Sequence, residues 1–271
     1  MLKSDKGEYL EVDGLRTFYI KMGTGYPLLL IHGTSPGACA LTSWGINIEP
    51  LAALGFTVIA FDQPGFGYSD NPKDYSLDFR VAHVKSFINK LQLDHFHLIG
   101  NSQGAYVAAK IALEDERTER LVLVSSGTIA PQGSPEAQAL AKEHAAHLRE
   151  YSPSLENART LTLGTLFNEK LVTNELVQLR YEMSTGKNYE SQCERRKVPF
   201  PKPIHDQLRT LKVKTLILWG NNDGGAAVER ALPLFQLIPN AELHIFDKCA
   251  HWVQWDQAAR FHTIVGNFLK M

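Results

Sequence analysis

The pentapeptide Gly100-Asn101-Ser102-Gln103-Gly104 is a Gly-x-Ser-x-Gly that directly follows an apolar run and directly precedes a helical pattern. A serine on such a sharp strand-to-helix turn exposes its hydroxyl at the end of a sheet, and the flanking glycines remove β-carbons that would collide with neighbouring elements. The helix N-terminus beside it favours negative charge that develops there. A serine hydroxyl is a poor nucleophile at neutral pH, so the chemistry requires a histidine base and a carboxylate downstream, in the chain order serine, acid, histidine. Asp223 and His251 follow in that order, each just beyond a later apolar run. We therefore assign Ser102 as nucleophile, His251 as general base and Asp223 as the residue that orients the histidine. The competing reading makes Asp223 an ordinary turn residue beside Gly224, with Asp247 as the second choice of acid.

Acyl-transfer chemistry also needs two backbone N–H groups for the oxyanion, one from the residue after the nucleophile and one from the loop after the third strand. Gln103 supplies the first. The loop His32-Gly33-Thr34-Ser35-Pro36-Gly37 has residues small enough for its backbone to approach a substrate oxygen, and Thr34 is the choice for the second. His32 reads as a brace for this loop rather than as a base. His95 and His97 share one strand face, but no third ligand is evident, so no metal is assigned. Gly65-Phe66-Gly67 lacks the third glycine of a dinucleotide loop, because position 70 is Asp70, and reads as a tight turn.

A parallel sheet gathers catalytic groups at the ends of its strands, and the chain has the runs to build one. Leu28 to Ile31, Thr57 to Phe61, His95 to Ile99 and Leu121 to Val124 are short apolar segments suited to strands buried on both faces, and Thr215 to Trp219 and Glu242 to Phe246 read as two further strands. Helical patterns at Leu77 to Leu91, Ala105 to Leu113 and Gln257 to Leu269 alternate with them, which calls for an α/β fold with a mostly parallel sheet. Gly7 to Ile20 reads as an antiparallel hairpin. After Ser125-Ser126-Gly127 the rhythm breaks for roughly 75 residues of Ala-, Glu- and Leu-rich helical pattern, until Pro201-Lys202-Pro203. The expected organisation is a core over 1–128, a helical cap over 129–205 and the rest of the core over 206–271.

With 271 residues and 44% hydrophobic content the chain can bury one large core. Lys plus Arg numbers 28 against 29 for Asp plus Glu, a formal charge of -1, so neither nucleic acid nor an anionic membrane is an expected partner. The densest basic cluster, Glu194-Arg195-Arg196-Lys197, reads as a solvated surface. Three cysteines, Cys39, Cys193 and Cys249, at unrelated spacings speak against a disulfide framework or a zinc site and for a reducing compartment. Met1 to Lys6 lacks an apolar signal region, and no apolar stretch reaches the ~18 to 20 residues of a membrane span. A cytoplasmic protein acting on a small molecule without metal or cofactor is expected.

These residues together resemble the meta-cleavage product hydrolases, α/β-hydrolases that split carbon–carbon bonds in ring-opened aromatic compounds. His32-Gly33-Thr34-Ser35-Pro36-Gly37-Ala38 is similar to that family's His-Gly-x-Gly-Pro-Gly-Ala, and Lys248 to Asp256 to its Cys-Gly-His-Trp-x-Gln-Trp-Glu. Gln178-Leu179-Arg180-Tyr181-Glu182 places Arg180 like the family's carboxylate-binding arginine. From the residues alone, an arginine in a cap above an apolar pocket can hold a carboxylate through two parallel hydrogen bonds, or else be a surface residue paired with Glu182 or Glu175. The resemblance also implies an eight-stranded sheet, pairing of chains into homo-oligomers, and a substrate site lined by Gly33, Ser43, Asn101 and Trp252, with an acyl pocket from Phe167, Leu163 and Met183. Ser35, Ser43, Gln103, Ala105 and Asn222 depart from the family's usual residues. The expected reaction is hydrolysis of a 2-hydroxy-6-oxohexa-2,4-dienoate bearing an apolar substituent. The alternatives are a carboxylesterase or lactonase with the same triad, and a binding protein that kept the fold without catalysis.

Overall fold

The computed structural model describes residues 4–270, so Met1, Leu2 and Lys3 of the N-terminal reading lie outside the described residues. Eight strands form one sheet in the order β1-β2-β4-β3-β5-β6-β7-β8. They are β1 (Glu8–Val12), β2 (Leu15–Met22), β3 (Tyr26–Ile31), β4 (Phe56–Phe61), β5 (Phe96–Asn101), β6 (Thr118–Val124), β7 (Lys214–Gly220) and β8 (Ala241–Phe246). β1 and β2 are the expected antiparallel hairpin, β2 meets β4 antiparallel, and every later pairing is parallel.

The unbroken apolar runs are explained by burial on both faces. Successive strand side chains point to opposite sides, so Leu29 and Ile31 of β3 enter one core while Leu28 and Leu30 enter the other. Leu121 and Leu123 divide from Val122 and Val124 in the same way, as do Ile217 and Trp219 from Leu216 and Leu218. The first core is closed by α3 (Leu77–Lys90), α4 (Gln103–Glu114) and α10 (Ala231–Leu237), and the second by α1 (Ala40–Trp44), α2 (Ile48–Ala53) and α12 (Ala258–Lys270). Ser76 caps α3 by accepting from the Phe79 N–H.

Between β6 and β7 the chain runs through α5 (Pro135–Glu150), α6 (Leu155–Leu163), α7 (Asn174–Glu182), α8 (Gly186–Arg195) and the short α9 (His205–Leu208). Ser134, Ser154 and Thr173 each accept a backbone N–H at the start of α5, α6 and α7, which is why a polar, Ala-rich stretch holds separate helices. The segment has its own small core, where Ala158, Leu166, Leu176 and Val177 pack on Trp252 and Trp255. Trp255 comes from α11 (Val253–Asp256), the turn just before α12. Among the described residues no helix is long and apolar enough to cross a membrane.

The basic cluster is not the solvated face expected. Arg195 donates to Gly65 O (2.7 Å) and Ser191 Oγ (2.6 Å), and Arg196 donates to Tyr151 O (2.8 Å) and Leu148 O (3.2 Å), so both are half-buried. Of the four, only Glu194 and Lys197 stay exposed, joined at 2.7 Å. His97 stacks on Tyr26 with ring centroids 4.4 Å apart, and His95 lies before β5 beside Glu119 at 3.3 Å, which accounts for both histidines.

Candidate active site

Ser102 sits between the end of β5 and the start of α4 with φ 55° and ψ −123°. A non-glycine residue held at positive φ costs on the order of 1–3 kcal/mol and persists only where its surroundings over-determine it. Two features do so. The Ser102 N–H donates to Val124 O at 2.9 Å, tying the turn to β6. The flanking glycines let three backbones meet: a β-carbon on Gly100 would fall 2.4 Å from Gly104 O, and one on Gly104 would fall 2.4 Å from Ile31 O and 2.5 Å from His32 O. Gly104→Ala is therefore expected to lower the stability of the fold by about 3 kcal/mol, read as a drop in the urea midpoint at unchanged slope. An unchanged midpoint would show that β3 and α4 can move apart freely.

Asp223 follows β7 and His251 follows β8, and the fold brings them together: His251 Nδ1 to Asp223 Oδ2 is 2.7 Å. The other carboxylate oxygen, Oδ1, accepts from the N–H groups of Ala226 (2.8 Å) and Gly225 (2.9 Å), which aims Oδ2 at the histidine. Asp223 is 4% exposed. Burial opposes its charge, but the attraction of His251, their hydrogen bond and the two amides outweigh it and hold the carboxyl below its ordinary range. For His251 the balance has the opposite result: burial lowers its pKa, the Asp223 carboxylate and hydrogen bond raise it further, Arg180 opposes them, and the net shift is upward. Asp247 is exposed and takes no part in this pairing, so Asp223 is the acid that meets His251.

Ser102, His251, Thr34 and Gln103 all line one cavity of about 500 Å³. Among the described residues no hydrogen bond directly links Ser102 and His251, a gap that a bound substrate can close. Behind Thr34, His32 is wholly buried and fixed by three bonds: Nδ1 to Gly33 O (2.6 Å), Nε2 accepting from the Gln63 N–H (3.0 Å), and His32 O accepting from Gln63 Nε2 (2.7 Å). Burial pushes its pKa down to about 3, so it is a neutral brace, as its position suggested. Gly33 packs so closely on the elbow that a β-carbon there would lie 3.1 Å from the Ser102 Cβ.

Of the residues expected to bind substrate, Gly33, Ser43, Asn101 and Trp252 line the cavity. Asn101 Nδ2 donates to Val124 O (3.2 Å) and His251 O (3.4 Å), so it also ties the strand that leads to Ser102 to the loop of His251. Arg180 is fully buried rather than a surface residue, and pairs with neither Glu182 nor Glu175. Its guanidinium lies over the Trp252 ring at 4.7 Å and donates to Ser35 Oγ (3.1 Å), Pro36 O (3.3 Å), Thr165 Oγ1 (3.3 Å) and Thr162 Oγ1 (3.5 Å), while Nε has no protein partner. Burial pushes its pKa down to about 10, which leaves it charged at neutral pH.

Phe167 does not reach the cavity. It is 43% exposed, and its backbone N–H donates to Asp256 Oδ2 at 2.9 Å. Leu163 is exposed as well, and Met183 is buried in the second sheet core. The wall is built instead by Leu161, Thr165 and one face of α5: Ala141, His144, Ala145 and Leu148. Those last four follow the i, i+3, i+4, i+7 spacing of a helix face, a signal present in the sequence. His144 lies against Gly225, where a β-carbon would come 2.8 Å from its Cδ2, and burial, with the nearby His251, lowers its pKa. Arg230 also lines the cavity, and donates to Gly127 O (2.6 Å), Pro131 O (2.7 Å) and Ala130 O (3.0 Å), pinning the chain as it leaves β6. Among the described residues no cluster of His, Cys, Asp or Glu could hold a metal ion.

Comparison with known proteins places this geometry among relatives. Residues 26–258 match the family described as alpha/beta hydrolase fold. A 2-hydroxymuconate semialdehyde hydrolase of Pseudomonas sp. strain CF600 is 33% identical over 97% of this chain and 93% of its own. A 2-hydroxy-6-oxo-6-phenylhexa-2,4-dienoate hydrolase of Burkholderia cepacia is 32% identical over 94% of this chain and 93% of its own. The solved meta-cleavage product hydrolase CumD of Pseudomonas fluorescens IP01, a serine-to-alanine mutant complexed with acetates, superposes with a TM-score of 0.87 at 32% identity, covering 99% of both chains.

Proposed function

Since the chain belongs to the α/β-hydrolase fold family and, within it, to the meta-cleavage product hydrolases, we propose that it hydrolyses a carbon–carbon bond in a 2-hydroxy-6-oxohexa-2,4-dienoate. The observation that carries the reading is Arg180: a fully buried guanidinium with no acidic partner and a free Nε, stacked on a tryptophan that lines the cavity of Ser102. An isolated buried charge is costly unless something pairs with it, and a substrate carboxylate does so. A plain ester or lactone hydrolase has no use for it, so the esterase alternative is not favoured.

In this mechanism residues 129–205 cap the site and Arg180 binds the C1 carboxylate. The dienol first passes to its keto form, the hydroxyl proton leaving oxygen and a proton arriving at C5. That step supplies the electron sink, because a carbanion without it is too basic to leave. His251 then takes the proton of Ser102, whose oxygen attacks the C6 carbonyl, and the N–H groups of Thr34 and Gln103 hold the oxyanion. Asp223 stabilises the imidazolium. Collapse of the tetrahedral centre breaks the C5–C6 bond, its electron pair flows onto the C2 oxygen, and the imidazolium proton passes to that oxygen, so that His251 is neutral again. Water, deprotonated by the neutral His251, attacks the acyl carbon, and the imidazolium returns the proton to Ser102 as the acyl group leaves as a carboxylic acid beside 2-hydroxypenta-2,4-dienoate.

Stopped-flow absorbance with a coloured 6-phenyl dienoate tests the reading. Wild type is expected to bleach the colour and release benzoate. Arg180→Gln is expected to lose about 10²-fold or more in kcat/KM on dienoates, with a far smaller change on neutral aryl esters. Persistent colour together with rapid ester cleavage would replace this reading with the esterase.

A further inference from the structure

A second cavity of about 240 Å³ adjoins the first, with Thr34, Gln103, Ala145 and Leu148 lining both. Every charged side chain in its lining is an arginine: Arg80, Arg149, Arg195 and Arg196. Among the described residues none of these forms an ion pair. Arg80 is 4% exposed; its Nη2 donates to Gln103 Oε1 at 2.9 Å, while Nε and Nη1 have no protein partner. The Nε2 of Gln192, a buried side chain in the same lining, has none either. Arg195 lies over the Phe66 ring at 3.8 Å and Arg80 over the same ring at 5.8 Å, so one aromatic face system carries two like charges. Burial pushes Arg80 down to about 10, and burial with the charge of Arg80 pushes Arg195 to about 9, so both stay protonated at neutral pH.

A buried Arg80 beside a half-buried Arg195, neither ion-paired among the described residues, together with three donors of buried side chains left open, is an unfavourable arrangement unless an anion pairs with it. A carboxylate satisfies both the charge and the donors, because guanidinium and carboxylate match in shape as well as sign. Gln103 links the two cavities: its backbone N–H is the oxyanion donor of the proposed reaction, and its side chain is held by Arg80. The Arg180 site is a separate set, built on Ser35, Pro36, Thr162 and Thr165.

We propose that this cavity is a second carboxylate subsite, in which Arg80 and Gln192 bind a carboxylate on the acyl side of the substrate. The inference rests on the hydrolase reading above and narrows it: the substrate is a dicarboxylate and the acyl product a dicarboxylic acid. Arg195 strengthens the local positive field without contacting the anion.

The test compares kcat/KM for a dienoate with a 6-(2-carboxyethyl) group against one with a 6-butyl group, and measures binding of succinate, pentanoate and inorganic phosphate to Ser102→Ala protein by calorimetry. Wild type is expected to favour the acidic substrate by about 10²-fold. Arg80→Met is expected to bring that ratio near one, and the milder Gln192→Leu to lower it several-fold; a ratio within one variant is insensitive to the fraction of protein folded. Succinate is expected to bind better than pentanoate, and to lose that advantage with Arg80→Met. The subsite is overturned if wild type shows no preference, or if the preference survives Arg80→Met. Phosphate binding that depends on Arg80 without any substrate preference would make this a site for free anions, and would overturn the substrate assignment. If neither dienoate is cleaved while succinate still binds through Arg80, the subsite stands and the reaction reading falls.

Discussion

Replacing Ser102 with alanine is expected to lower turnover of a 6-phenyl dienoate by about 10⁶-fold, the scale seen when a triad nucleophile is removed, with substrate affinity nearly unchanged. The size of the effect follows from the geometry. Ser102 stands on the strained turn between β5 and α4 at φ 55°, lining the cavity that Thr34, Gln103 and His251 share. Among the described residues no other hydroxyl of the cavity lining stands between β5 and α4; Ser125 and Thr128 follow β6, Thr34, Ser35 and Ser43 follow β3, and Thr165 follows α6. Arg180 and Trp252 keep their arrangement in the variant, so the dienoate binds and stays coloured. A fluorophosphonate is expected to label wild type at Ser102 and to leave the variant unmodified. Residual turnover within 100-fold of wild type would remove Ser102 from the nucleophile's role, and failure of wild type to label would revive the reading of a binding protein without catalysis.

Asp223→Asn is expected to cost about 10⁴-fold in kcat, because the amide can present its N–H to Nδ1 and hold the wrong tautomer of His251. A pH effect accompanies the loss. In the wild type the Asp223 carboxylate and its 2.7 Å hydrogen bond favour the imidazolium and raise the His251 pKa above its ordinary value. The reaction needs His251 neutral in the free enzyme, so kcat/KM falls as pH drops through that raised pKa. Removing the negative charge lowers the pKa, since burial and Arg180 then act unopposed, and the acid limb of the profile moves to lower pH while the plateau falls. A structural role for Asp223 would lower activity without moving the limb. A limb that stays in place, or moves to higher pH, would show that another group sets the ionisation of His251. Asp247, exposed at the end of β8, is expected to tolerate replacement by asparagine with full activity.

The parts of this protein that were legible in its sequence are those where chemistry is local to the chain. Gly100 and Gly104 announce a turn that no larger residue could make, and the Ser102, Asp223, His251 order needs only three strand ends to converge. Leu28 to Ile31 and Leu121 to Val124 identify themselves as strands covered on both faces because they contain no polar residue. Other residues could not be judged this way. Phe167, Leu163 and Met183 have the types expected of an acyl pocket, yet they face solvent or the sheet core, while Ala141, His144 and Leu148 build the wall. Each residue along a helix turns the side chain by about 100°, so the face an inserted helix shows to the site is set by how it docks on the core. Arg180 could equally have been a surface residue until its burial against Trp252 was seen, and Arg195 looked like part of a solvated run until Phe66 and Gly65 proved to hold it. The sequence by itself determined the strand-to-helix turn at Ser102, the order in which Asp223 and His251 follow it and the sheet that carries all three, because backbone sterics and strand burial act over a few residues. Only the tertiary structure decided which arginines lost their water and their counter-ions, since desolvation depends on what the rest of the chain packs around a charge.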